Sequence, residues 1–311
     1  MTSHAQPART RGGVPAASAS ALILNGSALA AAAADLRAVD VVSCRVDQLV
    51  FRIEPDDVAV TETVTNRKLH DFRLVQVASY PRPTASVVTA IADYVRHHGI
   101  LGVNIDGIGA PTKLSQYVRL AYAGLPVPAT LYADSSWLTD SYDDIVQRFD
   151  RPFILKALSA SGGRHNYLVS DEREFRQHLN EEASTHVHLL AQEFIPNDVT
   201  YRLLVMGADV KLALRRSWAP GSHLSNTEQG GASVLVEPAE LSPSVCRLAI
   251  ECAAVLDYEI AGVNLIQHWT TGSWHVLDVN ATPAITTGAF VEEKIAAYRA
   301  YLGTRLANPM L

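Results

Sequence analysis

The sequence predicts an α/β N-terminal lobe followed by an α+β body, and three observations support this fold class. The chain has 311 residues, 48% hydrophobic and 19% charged, enough for about two packed domains. Up to about residue 107, short apolar runs alternate with helical periodicity, as in an open α/β layer. Beyond residue 185 the pattern is mostly strands with one helix, which is typical of an antiparallel sheet.

Composition excludes several classes of protein. The net charge is −6, with 26 Lys and Arg against 32 Asp and Glu, so the cationic footprint of a nucleic-acid binder is missing. The 3 cysteines cannot build a disulfide framework or a CxxC metal knuckle. No apolar run reaches the roughly 20 residues that cross a bilayer. We therefore expect a reduced, cytoplasmic protein with no nucleic-acid or membrane partner; its oligomeric state, monomer or homo-oligomer, stays open.

The N-terminal part divides into a tail, residues 1–20, and an α/β domain, residues 21–107. The tail is small and polar, so we expect it to be mobile. A secretion signal is disfavoured because Asn25 and Gly26 interrupt the apolar run that follows the tail. The predicted elements are strands at 22–24, 48–53, 58–63, 73–77 and 100–103, a helix ending near residue 37, and a helix opening at Thr84.

The rest of the chain divides into a central subdomain, residues 108–190, which is called the lid below, as the family resemblance given later implies, and a C-terminal subdomain, residues 191–311. The lid is predicted to hold helices at 112–124, 136–148 and 171–182 and strands at 153–158 and 167–169. Further strands are predicted at 187–195, 201–206, 210–216, 233–236, 260–268 and 275–279, with a helix at 244–256.

Two lysines are candidate phosphate ligands. Lys156 ends an apolar strand and precedes a loop of small residues that can lie flat over phosphates with its N–H groups inward. Lys113 opens a helix, where the helix dipole disfavours a cation unless an anion lies nearby. The loop lacks the Gly-Lys-Ser/Thr of a Walker A motif. Each lysine on its own is also consistent with an ordinary solvated side chain.

Polar groups at two strand ends suggest a nucleotide and a metal. The stretch Gln192–Ile195 closes a strand before Asp198, and such a junction can offer backbone edges to adenine and a carboxylate to ribose. Alternation places Asp278 and Asn280 on one face of their strand, with Leu277 and Val279 on the other. With Asn264 on the preceding strand they form an oxygen set suited to Mg²⁺. Simple strand-ending turns remain the alternative at both places.

Taken in this order, the motifs resemble the ATP-grasp ligases, and most of all the RimK-type branch, the ribosomal-protein glutamate ligases and their relatives. The resemblance runs from Pro111 to about Thr286, over half the chain. Its tightest stretches are Ser222–Asn226 leading to Gly230-Gly231, Ile260–Asn264 and Leu277–Pro283.

The resemblance implies an ATP-grasp fold, with an N-terminal α/β lobe, a small lid and a C-terminal antiparallel sheet, and a role for each matched residue. Lys113 and Lys156 would hold the ATP phosphates beneath a loop containing Gly162 and Gly163. The adenine hinge would be Gln192, Glu193, Phe194 and Ile195, with Asp198 at the ribose. Catalytic groups would be Arg202, Arg216 and Asn226, and the metal positions Asn264, Asp278 and Asn280.

The implied reaction is ATP-dependent joining of a carboxylate to an amine through an acyl phosphate. Cofactors would be ATP and Mg²⁺, with Mn²⁺ as a substitute, and the acceptor an amino acid or peptide. One alternative is a maturase that closes rings in a ribosomal peptide by ester or amide bonds. Another is a nucleotide-binding protein with impaired catalysis.

Three departures from the family pattern motivate that last alternative. The family usually has Asp where Asn264 stands and Glu where Asp278 stands, so this metal site has less charge and a shorter reach. A loop glycine of the family is replaced by His165. We expect either a ligase with an adapted metal site or a protein that has kept nucleotide binding alone.

Overall fold

The computed structural model describes residues 19–37, 39–79, 85–105, 112–159, 163–185, 187–217 and 232–308. Residues 1–18 of the predicted tail lie outside these ranges, as does the predicted N-cap Thr84. The described elements form a parallel sheet, two antiparallel sheets and a separate hairpin. In the part of the chain that the structure describes, no helix combines the length and apolarity needed to span a membrane.

The N-terminal lobe is built on a parallel sheet, as the alternating pattern predicts. Its strands are β1 (Ala19–Leu24), β2 (Val39–Cys44), β5 (Leu74–Val77) and β6 (Leu101–Val103), in the order β2-β1-β5-β6. Helices α1 (Ser27–Ala33) and α2 (Ala85–His97) accompany it, and β3 (Leu49–Glu54) pairs with β4 (Asp57–Glu62) in a separate hairpin. Ile23 and Leu24 are fully buried in different hydrophobic clusters, so the central strand is apolar on both faces.

Three details of this lobe differ from the prediction. The strand β2 is not predicted, although it contains three valines; it lies at the edge of the sheet and fully buries only Val42 and Cys44. Ala19 and Ser20 pair with β2, so the sheet begins two residues inside the predicted tail. The first helix ends at Ala33 rather than near residue 37.

The lid is a four-stranded sheet covered by helices. Its strands are β7 (Thr130–Tyr132), β8 (Phe153–Ala157), β9 (Asn166–Val169) and β10 (Leu189–Glu193), in the order β7-β10-β8-β9. Its helices are α4 (Ser135–Asp140), α5 (Tyr142–Phe149) and α6 (Glu172–Ala183). Phe153 and Phe175 are fully buried at its centre, with ring centroids 5.8 Å apart.

The lid differs from the predictions at three points. The single helix at 136–148 is two helices that divide at Ser141, whose Oγ donates to the carbonyl of Trp137 at 2.7 Å instead of continuing the helix. The strand β7 is not predicted, since it is only 3 residues long. The predicted boundary between residues 190 and 191 falls inside β10, which pairs with β7 and β8 and so belongs to the lid sheet.

The C-terminal subdomain is an antiparallel sheet with a helix layer on one face. Its strands are β11 (Val199–Met206), β12 (Asp209–Ser217), β13 (Ala232–Val236), β14 (Ile260–Gln267) and β15 (Trp274–Asn280), in the order β13-β12-β11-β14-β15. Helices α3 (Lys113–Tyr122) and α7 (Pro243–Val255) share a core with it through Leu120 and Ala249. The opposite face carries the polar residues of the candidate site.

The last helix, α8 (Val291–Ala307), is not predicted and joins the lobes. Tyr298 and Leu302 are fully buried in one cluster with Ile23 of β1 and Met206 of β11. Because this apolar face is completed by residues from two lobes, the N-terminal sheet and the C-terminal sheet share a core.

Candidate active site

The candidate site begins where the lid strand β8 meets helix α3. Lys156 is 6% exposed, and its Nζ donates to the hydroxyl of Tyr117 at 2.5 Å and lies 4.9 Å from the ring centroid. The same hydroxyl donates to the carbonyl of Leu277 at 2.6 Å. A lysine of the lid is thereby tied through α3 to the C-terminal sheet.

Lys113 lies in the first turn of α3, where its backbone contacts the residue that follows β8. The hydroxyl of Thr112 caps that turn by accepting from the N–H of Ser115, and the backbone N–H of Lys113 donates to the carbonyl of Leu158 at 3.2 Å. Burial lowers the pKa of Lys113, Asp278 opposes this, and the charge of Lys156 lowers it further. The charges of Asp278 and Lys156 thus both contribute to the electrostatic environment of Lys113.

Three polar residues lie side by side across the open face of the C-terminal sheet. Arg202 is the register partner of Asn264, which is the register partner of Asp278. Arg202 Nη1 donates to Asn264 Oδ1 at 3.0 Å, and Asn280 Nδ2 donates to Asp278 Oδ2 at 2.9 Å. The predicted set of Asn264, Asp278 and Asn280 is brought together on two adjacent strands.

A bulge modifies the predicted alternation of β15. The register shifts between Asn264 and Leu265, so that Leu265 pairs with Val276 and Leu277 is skipped. Val276 and Val279 are the buried residues of this stretch, and the expectation that Leu277 shares the apolar face of Val279 is wrong. The bulge leaves the Leu277 carbonyl to accept from Tyr117.

Gly262 makes room for the Arg202 guanidinium. A Cβ built at Gly262 would lie 2.5 Å from Arg202 Nη2 and 2.7 Å from its Cζ. A larger residue would push the guanidinium away from Asn264, so the glycine of the Ala-Gly-Val-Asn stretch favours the hydrogen bond between these two side chains.

Burial and mutual repulsion lower the pKa values of the cations in the site. Burial lowers the pKa of Lys156 to about 8, opposed by Asp278. Burial also lowers the pKa of Arg202, again opposed by Asp278, and burial followed by the charge of Arg202 lowers that of Arg216 to about 10. Buried cations around one carboxylate would gain free energy from a polyanion that replaces lost solvation.

A cavity of about 400 Å³ opens beside this face. Among the described residues that line the cavity, the charged ones are all cations: Arg202, Arg216 and Lys294. The Nε of Arg216 is buried and has no hydrogen-bond partner among the described residues. Lys294 donates to the carbonyls of Ala284 and Thr287, both at 2.5 Å, and burial followed by the two arginines lowers its pKa to about 8. The cavity is suited to an anion.

The predicted adenine hinge lies at the end of β10. Gln192 is 2% exposed and donates to Thr130 Oγ1 at 2.7 Å, while Glu193 Oε2 accepts from the N–H of Ala129 at 3.2 Å. Ile195 is buried, Phe194 is half-buried, and Asp198 is exposed at the start of β11. These side chains fix the strand against β7 and leave Asp198 accessible for a ligand.

Some predicted residues lie outside the described ranges, and some site residues were not predicted. Gly162 and Asn226 lie outside the described ranges, whereas Gly163 is described, with a φ of +76°. The sequence did not predict Lys294 as a site residue, nor the role of Tyr117. Tyr117 lies in the apolar stripe of α3 and gives only a core signal, and Lys294 lies on the unpredicted α8.

Residues 110–298 match the RimK-like ATP-grasp domain, and the chain belongs to that family. It is an ATP-dependent ligase with the ATP-grasp fold.

Curated relatives and solved structures agree with this membership. A probable alpha-L-glutamate ligase 2 from Hahella chejuensis is 29% identical over 218 residues, which is 67% of this chain and 68% of the relative. A probable alpha-L-glutamate ligase from Legionella pneumophila is 28% identical over 216 residues, 67% of this chain and 69% of the relative.

Two solved structures show the same fold over nearly the whole chain. The RimK domain ATP-grasp protein from Sphaerobacter thermophilus matches with a TM-score of 0.59 and 17% identity, covering 91% of this chain and 98% of that one. The macrocyclase MdnC from Microcystis aeruginosa, solved with its precursor peptide MdnA, matches with a TM-score of 0.66 and 12% identity, covering 92% and 99%.

Proposed function

We propose that this ligase joins a carboxylate to an amine through an acyl-phosphate intermediate. One observation carries the proposal: Lys156 of the lid is buried against Tyr117, whose hydroxyl binds the carbonyl of Leu277 next to Asp278, on the sheet that carries Arg202. A buried cationic cluster of this kind matches a triphosphate and the charge that develops on a transferred phosphoryl group.

The steps follow from this arrangement. An oxygen of the substrate carboxylate attacks the γ-phosphorus of ATP, the bond to the β,γ-bridging oxygen breaks, and ADP leaves. The resulting acyl phosphate is attacked by the amine, which loses a proton as the amide forms and inorganic phosphate departs. In the proposal, Lys113 and Lys156 hold the phosphates, and Arg202 and Arg216 neutralise the charge on the phosphoryl and acyl oxygens.

The oxygen set fits one Mg²⁺ that takes further ligands from the phosphates. Asp278 is the one carboxylate in the proposed set, while Asn264 Oδ1 and Asp278 Oδ2 already accept hydrogen bonds from Arg202 and Asn280. Mg²⁺ is held in many phosphoryl-transfer sites by one or two carboxylates plus phosphates. In the proposed site Asp278 supplies the charged ligand and Asn280 the amide ligand, and Mg²⁺, or Mn²⁺ in its place, would neutralise phosphate charge.

The substrate is proposed to be an amino acid or a peptide. The curated relatives are named as glutamate ligases, and MdnC was solved with a precursor peptide. If both reacting groups lie in one peptide, the product is a ring, and the protein would be a maturase. Mass spectrometry distinguishes the two outcomes, because ring closure removes one water from a single peptide.

Hydroxylamine trapping tests the proposal without knowledge of the amine. The full chain is incubated with ATP, Mg²⁺, hydroxylamine and a library of carboxylic acids and peptides. The expected result is a hydroxamate and an equal amount of ADP with at least one acid, both lost in Lys156→Met. ADP release without any hydroxamate would contradict an acyl-phosphate pathway.

A second candidate is nucleotide binding without ligation. It is favoured by the hydrogen bond between Asn264 and Arg202, which occupies one oxygen of the predicted metal set and leaves fewer ligands for a cation. Calorimetry that shows ATP binding, together with no ADP release across a broad panel of acids and amines, would support it over the ligase.

A further inference from the structure

The hairpin formed by β8 and β9 is hydrogen-bonded to helix α6 through a buried carboxylate, that of Glu182. Glu182 is 4% exposed, and its Oε1 accepts from His165 Nδ1 at 2.5 Å and from the hydroxyl of Tyr167. Its Oε2 accepts from Thr185 Oγ1 at 2.8 Å. Burial alone would raise the pKa of Glu182, but the hydrogen bonds from His165, Tyr167 and Thr185 outweigh it and lower the pKa. The carboxylate is therefore held as an anion by donors from the beginning of β9 and from Thr185, just after α6.

His165 occupies a backbone position that few residues tolerate. Its φ is +52°, in the left-handed region where Asn, Asp and His are the most frequent residues after glycine. Its carbonyl accepts from the N–H of Ala157 at 2.9 Å, and the next residue, Asn166, is the register partner of Lys156. The imidazole thus anchors the point of β9 that directly flanks Lys156.

We propose that the pair His165–Glu182 is a latch that positions the β8–β9 hairpin for the phosphates of the nucleotide. This inference rests on the proposed function. His165 acts as a positioning residue, since its ring is directed to Glu182 and it works through the backbone beside Lys156. Release of the latch frees the hairpin at that point, while the adenine hinge on β10, at the other side of β8, keeps its contacts with β7.

The neighbouring His178 provides a matched control. Its ring stacks on Tyr167 with centroids 4.0 Å apart and an interplanar angle of 12°, and its Nδ1 lies 3.2 Å from Glu181 Oε2. It therefore contacts the same tyrosine from the same helix, yet its ion pair is with Glu181 rather than Glu182.

Binding of two probes to the full chain tests the latch: AMPPNP with Mg²⁺, and adenosine. His165→Asn keeps the tolerance for a left-handed backbone but is too short to reach Glu182, and Glu182→Gln removes the charge. We expect each to raise the AMPPNP dissociation constant by roughly fivefold or more, the effect of one lost charge-assisted hydrogen bond. Adenosine binding should stay within about twofold, as should both ligands in His178→Asn.

The outcomes separate the latch from a general structural role. Unchanged AMPPNP affinity in both His165→Asn and Glu182→Gln would overturn the inference, and so would an equal loss for adenosine. A wild-type chain that does not bind AMPPNP would overturn the proposed function and the latch with it. Thermal unfolding of each variant identifies loss of fold, and Glu182→Gln decides the question if His165→Asn does not fold.

Discussion

The side-chain amide of Asn104 forms two hydrogen bonds with the backbone of Ile260. Nδ2 donates to the Ile260 carbonyl at 2.8 Å, and Oδ1 accepts from the Ile260 N–H at 3.0 Å. Nδ2 also donates to the carbonyl of Ala281 at 2.7 Å. Asn104 is 3% exposed at the end of β6, and its partners begin β14 and follow β15. One side chain thus joins the N-terminal lobe to the sheet that carries the candidate site.

Replacing this side chain should weaken the whole chain. Asn104→Ala removes these hydrogen bonds and leaves buried backbone groups unpaired, so we expect a loss of about 3 kcal/mol in the free energy of unfolding. Asn66→Ala is the matched control, since Asn66 has a similar φ of +60° but is exposed. Urea denaturation measures both, and equal losses would show that backbone strain, rather than the bridge, is responsible.

The hydroxyl of Tyr117 should contribute to both the stability of the fold and the affinity for nucleotide. Tyr117→Phe keeps the aromatic contact with Lys156 but removes the link to Leu277, so we expect a loss of about 1–2 kcal/mol in stability and roughly threefold to tenfold weaker AMPPNP binding. Tyr122→Phe, on the same helix and 90% exposed, should change neither quantity. Wild-type nucleotide affinity in Tyr117→Phe would show that the hydroxyl does not position Lys156.

Loss of the Lys156 charge should strongly slow turnover. Lys156→Met removes a buried positive charge from the proposed phosphate site, and we expect the rate of ADP formation to fall by roughly 10²–10³. Lys68→Met changes an exposed lysine of the N-terminal lobe and should leave the rate unaltered. Near-normal turnover in Lys156→Met would remove this residue from the proposed phosphate site.

Nucleotide affinity should fall as the pH rises above about 8. Burial lowers the pKa of Lys156 to about 8, so the free protein loses this charge above that pH and must take up a proton to bind the triphosphate. Affinity is then highest below pH 8, and binding at higher pH is accompanied by proton uptake. Calorimetry of AMPPNP binding in buffers of different ionisation enthalpy measures the uptake.

The variant Lys294→Met separates the two groups that titrate in this range, because burial and the arginines also lower the pKa of Lys294 to about 8. Proton uptake should persist in Lys294→Met and diminish in Lys156→Met. Uptake that persists undiminished in Lys156→Met would assign the titration elsewhere.

Changing the charge of the proposed metal ligands should change the Mg²⁺ concentration that nucleotide binding requires. Asn264→Asp adds a carboxylate beside Asp278, so we expect AMPPNP binding to saturate at a lower Mg²⁺ concentration, whereas Asp278→Asn should abolish the Mg²⁺ dependence. Titration of Mg²⁺ at fixed nucleotide measures both. An unchanged Mg²⁺ requirement in Asp278→Asn would contradict the proposed oxygen set.

Much of the fold follows from local patterns. The strand β14 and the amphipathic helix α6 are found within a few residues of their predicted limits, because β14 is a nearly continuous buried run and α6 buries one face at helical spacing. The strand β7 is too short, at 3 residues, to show a period, and β2 lies at the edge of its sheet, where it fully buries only Val42 and Cys44. The candidate residues Lys156 and Asp278 were found because polar groups at the ends of apolar strands stand out.

The sequence by itself determined the types of element, the order of the lobes and the charged groups offered to a nucleotide. Only the tertiary structure decided that Tyr117 and Lys294 join them, that Asn104 bridges the lobes, and that Glu182 holds His165. The physical reason is distance along the chain: Lys156 meets Tyr117 across 39 residues and Tyr117 meets Leu277 across 160, far beyond the reach of any local period.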